Sequence, residues 1–456
     1  MESITDGSLA GGGQPLTPSV TPELHTSDFA ADTPRVGSLA ARLDHTLGMA
    51  RDPDFARFWA AESISAVGSQ FTAVALPLLA VLTLGASPMA VGVLTAAAGL
   101  PHLIFGLFAG AWVDRLRRRP IMIATDVGRA VLLAVIPAAA WFGVLSIELL
   151  VVVAFLAESL TVFFDIAYLA YVPTLVPRAQ LVEANSKLQA SASGAQVVGP
   201  ALGGTLVRVL GAPFAILFDA TTFLASAWFL FRIRTVEPDP ARSEGLNVFQ
   251  EVTQGLGILW RDRRLRALAL ASGVMNLGGF LFLSVYVLYL TRTLGLGPGA
   301  VGLVFALGGV GALAGSLVAG PLRARLGVGM TLMVSLVLFG VFGLTIPLAV
   351  VFPRFALPLI LASEFLQWVM VLVFSINSVS VRQAITPDRL LGRVNGTMRF
   401  VVWGMRPIGS VLGGYLGGHI GLPATLVVGA VGMLVAFVPL LGSPIPGMRG
   451  LEGGDA

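Results

Sequence analysis

Ionisable residues stand deep inside stretches of this chain that are otherwise apolar. Asp126 and Arg129 lie within 120–143, Glu158 and Asp165 within 148–172, Glu364 within 355–381, and Arg406 within 394–417. A carboxyl in such surroundings can take up and return a proton, and a guanidinium there can hold an anion. Both are costly in a low-dielectric medium, which makes them functional candidates. Glu158 sits ten residues beyond Glu148, about 15 Å along a helix at 1.5 Å per residue, and is the first candidate for a proton-binding or substrate-contacting carboxylate. Arg129 and Asp165 lie at similar depths from the opposite side, so an ion pair between adjacent helices is expected. Asp126, one turn before Arg129, is assigned to a network with Arg115. Glu364 and Arg406 are of opposite sign, and either pair with each other or face a cavity and hold a charged molecule. His102 either titrates or packs. Asp219, Glu62 and Arg399 count as nearer the surfaces.

Other chemistries lack their residues. The chain has no cysteine, so thiolate metal sites and cysteine nucleophiles are excluded. Its one lysine, Lys187, follows Glu-Ala-Asn-Ser, which leaves no phosphate-binding P-loop. Neither H-E-x-x-H nor G-x-S-x-G occurs. No enzyme activity, cofactor or metal is expected.

The residues are 55% hydrophobic, with 54 glycines among 456 and a mean hydropathy of +0.85. Runs such as 121–153 and 265–290 exceed the roughly 20 residues that cross a bilayer as helix, and period-two alternation is absent. The reading is an all-α membrane protein with twelve spans near 57–83, 88–111, 120–143, 148–172, 185–209, 213–231, 265–291, 298–321, 328–350, 355–381, 394–417 and 422–441. The net charge of +4 does not signal nucleic acid, because the arginines cluster beside apolar runs as topology signals do. With both termini cytoplasmic, inner loops receive Arg115, Arg117, Arg118, Arg119, Arg178, Arg232, Arg261, Arg323 and Arg382 among others, and outer loops only Arg208, Arg292 and Arg354. Residues 1–50 are polar and lack a signal-peptide pattern, so they are expected to form a disordered cytosolic tail.

The basic connection 232–262 separates six spans (51–231) from six (263–441), and 442–456 form a cytosolic tail. A constant shift of 210 residues pairs Arg51-Asp52 with Arg261-Asp262, Gly92 with Gly302, Arg115-Leu116 with Arg325-Leu326, and Gly203-Gly204 with Gly413-Gly414. Two pseudo-symmetric six-helix bundles follow, with a substrate path at their interface.

The stretch "GAWVDRLRRR" from Gly110 resembles the signature loop of the major facilitator superfamily, placed between spans 2 and 3. The resemblance implies a cytoplasmic gate of Gly110, Asp114, Arg115, Arg118 and Arg119, joined by Asp126, Arg129 and Asp165, with Asp114 meeting the N-terminal end of span 11 near Gly392 to Asn395. Arg115 and Arg119 would pair with acids on neighbouring spans. Arg117 replaces the usual glycine, so the tight turn must be made by a residue less tolerant of positive φ. Ala324 stands where a second Asp114 would map. "GAQVVGPALGG" resembles the glycine-rich motif of antiporter branches. Gly194, Gly199, Gly203 and Gly204 would let another helix approach closely, and Pro200 would kink the span. "SISAVGSQFTAVALPLL" and "TDVGRAVLLA" are similar to the branch holding macrolide efflux proteins and the enterobactin exporter.

The expected function is proton-coupled efflux of an amphiphilic small molecule by alternating access. The alternatives are export of a siderophore or other endogenous metabolite, or a non-transporting sensor or scaffold. The expected protein is a plasma-membrane monomer whose partners are substrate, protons and lipid, with no nucleic acid.

Overall fold

The computed structural model describes residues 52–106, 109–113, 115–237 and 256–451. The expected N-terminal tail, Asp114 and the middle of the 232–262 connection lie outside them. Twelve long helices follow in order: α1 (Pro53–Leu78), α2 (Pro88–Ile104), α3 (Arg118–Trp141), α4 (Ile147–Leu175), α5 (Leu181–Leu210) and α6 (Ala212–Phe231) in the first half. The second half holds α7 (Arg263–Leu288), α8 (Pro298–Leu326), α9 (Val328–Thr345), α10 (Ala356–Ile385), α11 (Asp388–His419) and α12 (Leu422–Val435).

The 210-residue shift recurs in backbone detail. Asp52 caps α1 by accepting from the Asp54 and Phe55 amides, and Asp262 caps α7 through those of Arg264 and Leu265, so each satisfies donors that a helix start leaves open. Each helix then ends in a π turn, Leu79–Thr83 and Tyr289–Thr293. Gly85 (φ 62°) and Gly295 (φ 67°) turn the chain beyond them, as Gly211 (φ 79°) and Gly421 (φ 83°) do before α6 and α12.

The halves differ at the loop that bears the signature. α8 runs unbroken to Leu326 and turns on Gly327 at φ 78°. Its counterpart α2 stops at Ile104, a short helix Ala109–Val113 intervenes, and Arg117, in the position of Gly327, is extended at φ −67°, ψ 130°. The expected tight turn at Arg117 is therefore corrected. The helix breaks earlier, and no left-handed residue is needed there.

Among the described residues, nine helices are long and apolar enough to cross a membrane by themselves; α2, α5 and α11 are not. α2 has only 17 residues. α5 and α11 carry polar side chains such as Asn185, Gln196, Arg399 and Arg406. These are the helices that join the halves, α2 against α11 and α5 against α8. Surface that faces another helix is exempt from the lipid's demand for apolarity.

The cores follow the same plan. At the end carrying the short neutral loops, one core merges both halves, with Phe71, Leu78 and Leu79 packed in a single cluster with Phe282, Val285 and Leu288. At the arginine-rich end the cores are separate: Phe55, Phe164 and Tyr171 belong to the first half alone, and Leu265, Leu332 and Phe374 to the second. The halves are thus joined at the neutral end and packed independently at the basic end.

Candidate functional site

The charges predicted to be deep lie mostly in the first half. Asp126 and Arg129 on α3 are 0% and 3% exposed and pair with each other one turn apart. This corrects the expected Arg129–Asp165 ion pair: Asp165 on α4 lies within electrostatic reach of Arg129 but not in contact. A partner three residues away on the same helix is already positioned. The Arg129 guanidinium lies instead between the Phe164 ring, 4.4 Å from its centroid, and Phe223 of α6, at 4.1 Å. Such faces stabilise a desolvated cation.

Two acids placed near the surfaces by counting are central. Asp219, 1% exposed, accepts from Thr72 of α1 and from Thr222 at 2.9 Å. Glu62 of α1 lies in the field of Asp165, Arg129 and Asp126, and its Oε2 is buried without a hydrogen-bond partner. Counting from the cap Asp52 places Glu62 ten residues into its helix, a signal that counting from the apolar run hides. The 210 shift carries Glu62, Asp126, Arg129, Asp165 and Asp219 onto Ser272, Leu336, Phe339, Ser375 and Gly429. The charged network therefore belongs to one half.

Glu158 on α4 lies within electrostatic reach of Arg406, which belongs to α11 of the other half. The two are electrostatic neighbours, but among the described residues neither belongs to a direct ion pair. Gly99 of α2 makes the passage possible, since a Cβ there would stand 2.8 Å from Arg406 Cγ and Cδ. Arg406 Nε is buried without a hydrogen-bond partner, and its Cζ lies 5.8 Å from the Phe280 ring centroid and 5.9 Å from that of Trp403. Trp403 stacks on His102, with centroids 4.5 Å apart and planes at 8°. His102 thus packs across the interface on the charged residue's own neighbour.

Glu364 on α10, 4% exposed, does not pair with Arg406. Its carboxylate accepts from the Tyr286 hydroxyl of α7 and the Trp368 indole, each at 2.9 Å. Of the two readings left open for this pair, a mutual ion pair is ruled out. In the sequence Tyr286 and Trp368 count only among the aromatic residues that could line a cavity, not as partners of Glu364.

At the basic end, Arg118 meets Glu237 at 3.3 Å, and Arg119 donates to the carbonyls of Leu230 (2.9 Å) and Phe231 (2.6 Å). The expected acid partner of the Arg119 side chain is replaced by the C-terminal carbonyls of α6, where the helix dipole favours a cation. Arg115 is solvent-exposed. Gly110 lies in the short helix Ala109–Val113. Asp114 is outside the described residues, so its meeting with α11 is not described.

The glycines of α5 divide by partner. Gly199 and Gly203 pack on the backbone of Val67 and Phe71 in α1, while Gly194 has nothing within 4 Å of a Cβ position. Gly204 crosses to the other half, where a Cβ would stand 2.8 Å from the Gly302 Cα. α5 remains one helix through Pro200. The shift maps Gly204 and Gly302 onto Gly414 and Gly92, which make the matching crossing of α11 and α2, with a Cβ on Gly92 2.9 Å from the Gly414 Cα. The halves thus touch through two glycine pairs related by the repeat. Further along the same helices the symmetry ends: Gly309 meets the carbonyl of Gln196, where Gly99 meets the Arg406 side chain.

The model of the major facilitator family described as transmembrane secretion effector matches residues 46–452. The chain belongs to that family. Among its relatives, Multidrug efflux pump Tap of Mycolicibacterium fortuitum is 28% identical over 387 residues, 81% of this chain and 90% of that one. Macrolide efflux protein A of Streptococcus pyogenes is 27% identical over 233 residues, 51% and 56% of the two chains. Two solved structures share the fold: a bacterial homologue of the iron transporter ferroportin in an inward-facing state (TM-score 0.70, 16% identity, 85% and 98% of the two chains) and the nucleoside transporter NupG (0.68, 11%, 85% and 98%). The secretion-effector chain is thus a multi-pass membrane transporter. Among its described residues no group of three or more acids or histidines could hold a metal ion.

Proposed function

We propose that this efflux transporter exports an amphiphilic small molecule in exchange for protons, by alternating access, from a plasma membrane in which both termini face the cytoplasm. The observation that carries the reading is the approach of Glu158 to Arg406 across the bundle interface. An unprotonated Glu158 attracts Arg406 and favours closure of the halves around it; a proton on Glu158 removes that attraction and releases a buried cation. A ligand shifts such an equilibrium only by its different affinity for the two states, and a proton on Glu158 has that difference. The separate cores at the basic end let substrate enter from the cytoplasm, and the two glycine crossings act as pivots. Glu364, held by neutral donors, is a second carboxyl on the substrate path. Asp114, with Arg115, Arg118 and Arg119 beside it, is the cytoplasmic latch.

The names of the relatives support export of drug-like molecules. Export of an anionic endogenous metabolite such as a siderophore is the second reading, favoured by the unsatisfied Nε of Arg406. In everted vesicles under a proton gradient, Glu158→Gln is expected to abolish gradient-driven efflux while leaving the protein in the membrane. Unchanged efflux and unchanged response to the gradient would remove Glu158 from the mechanism. Arg406→Gln separates the two readings, because loss of transport for anionic but not cationic dyes selects the metabolite exporter. Asp114→Asn is expected to slow transport with insertion intact, and a loss of insertion would reduce the loop to a topology signal.

A further inference from the structure

After the last helix of each half, the chain folds back to the start of that half's third helix, and the two returns end in different chemistry. In the first half Glu237 supplies the contact. Its carboxylate accepts from the amides of Arg118 (2.7 Å) and Arg119 (3.3 Å) and meets the Arg118 guanidinium at 3.3 Å. The 210 shift carries Arg118 and Arg119 onto Val328 and Gly329, and Glu237 onto Gly447. The second half therefore lacks that acid, and its amides are capped by carbonyls instead: Gly329 N–H donates to Met448 at 2.9 Å and Val328 N–H to Arg449 at 3.3 Å.

These bonds fix Arg449 beside the end of α8. With Arg323, Ala324, Val328, Gly450 and Leu451 it lines a cavity of about 560 Å³. Among the described residues no carboxylate pairs with Arg323 or Arg449. Two guanidiniums thus share a cavity where the other half keeps its own anion. Guanidinium forks match phosphate oxygens in geometry and charge. Exposed Leu326 and Met330, each two residues along the chain from a residue that lines the cavity, offer an apolar surface that a free ion would not use.

We propose that the cavity between the α8–α9 turn and the returning C-terminal segment binds the phosphate group of an anionic membrane lipid, with Arg323 and Arg449 on the phosphate and the acyl chains along Leu326 and Met330. This site is separate from the charged interface and supplies from the bilayer the anion that Glu237 supplies in the first half. It lies at the arginine-rich end, where anionic lipids attract basic segments.

The test uses the full-length protein extracted from membranes containing phosphatidylglycerol and examined by native mass spectrometry. The wild type is expected to retain one phosphatidylglycerol that the variant carrying both Arg323→Gln and Arg449→Gln loses, while Arg325→Gln retains it. Thermal unfolding with added phosphatidylglycerol should rise for the wild type and not for the double variant, whereas millimolar inorganic phosphate should leave the wild type unchanged. Equal retention by the double variant overturns the site. An equal rise with inorganic phosphate overturns the lipid as its source. Truncation after Leu451, which removes Glu452 and Asp455, should leave retention unchanged; a gain would mean that the chain's own carboxylates fill the cavity, and would overturn the proposal.

Discussion

Arg129 is enclosed by Phe164 and Phe223 and, among the described residues of the first half, is the cation inside its cluster of Asp126, Asp165, Asp219 and Glu62. Removing one member of a buried pair leaves an uncompensated charge, a loss of about 3–5 kcal/mol. Arg129→Leu is therefore expected to lower the midpoint of thermal unfolding in detergent sharply. The double variant with Asp126→Leu should recover much of that loss, because an apolar pair of similar volume is often tolerated. If the double variant proves no more stable than Arg129→Leu alone, the pair is not the unit that holds the cluster. At Glu364, Tyr286→Phe removes one of two donors and is expected to cost about 1–3 kcal/mol. The same unfolding assay measures it, and an unchanged midpoint would mean that Glu364 is held chiefly by Trp368.

Many helix crossings depend on glycine, and the repeat picks out the two glycine pairs that join the halves. Gly204→Val and Gly414→Val should each push apart the backbones of a crossing, at about 1–3 kcal/mol of overpacking strain. Efflux is expected to fall in both, while Gly194→Val, in open space, should transport normally; loss of transport in Gly194→Val as well would point to a general effect of bulk on α5. Nine of the twelve helices were legible in the sequence because lipid imposes one requirement, apolarity over about 20 residues, whereas α2, α5 and α11 were read from shorter or more polar runs and from the 210-residue repeat. The motif "GPALGG" could be read as a packing surface, but not which glycine meets which helix, since that depends on the rotation of α5. Partners of deep charges were legible only as depth. Depth places Arg129 and Asp165 at one level, and local geometry then gives Arg129 to Asp126, three residues away on its own helix. Tyr286 and Trp368 were legible only as aromatics that could line a cavity, not as donors to Glu364, because aromatic residues occur throughout membrane helices.

For the whole molecule, the arrangement of separate cores at the basic end and a shared core at the neutral end makes a statement about orientation that labelling can check. The chain has no cysteine, so single cysteines report cleanly. Exposed Arg261→Cys at the basic end should react with a membrane-impermeant maleimide only in everted vesicles, and exposed Phe352→Cys at the neutral end only in intact cells. The opposite pattern would invert the proposed topology and with it the direction of export. The three helices that fail as independent spans also bear on how the protein is made. α2 and α5 leave the ribosome early, yet their partners α11 and α8 belong to the half synthesised last. Until then the first half holds one short helix, α2, and one polar helix, α5, without the second-half partners they pack on, so its biogenesis must include a waiting intermediate. A truncated first half should accordingly depend on membrane chaperones for its survival far more than the complete chain does.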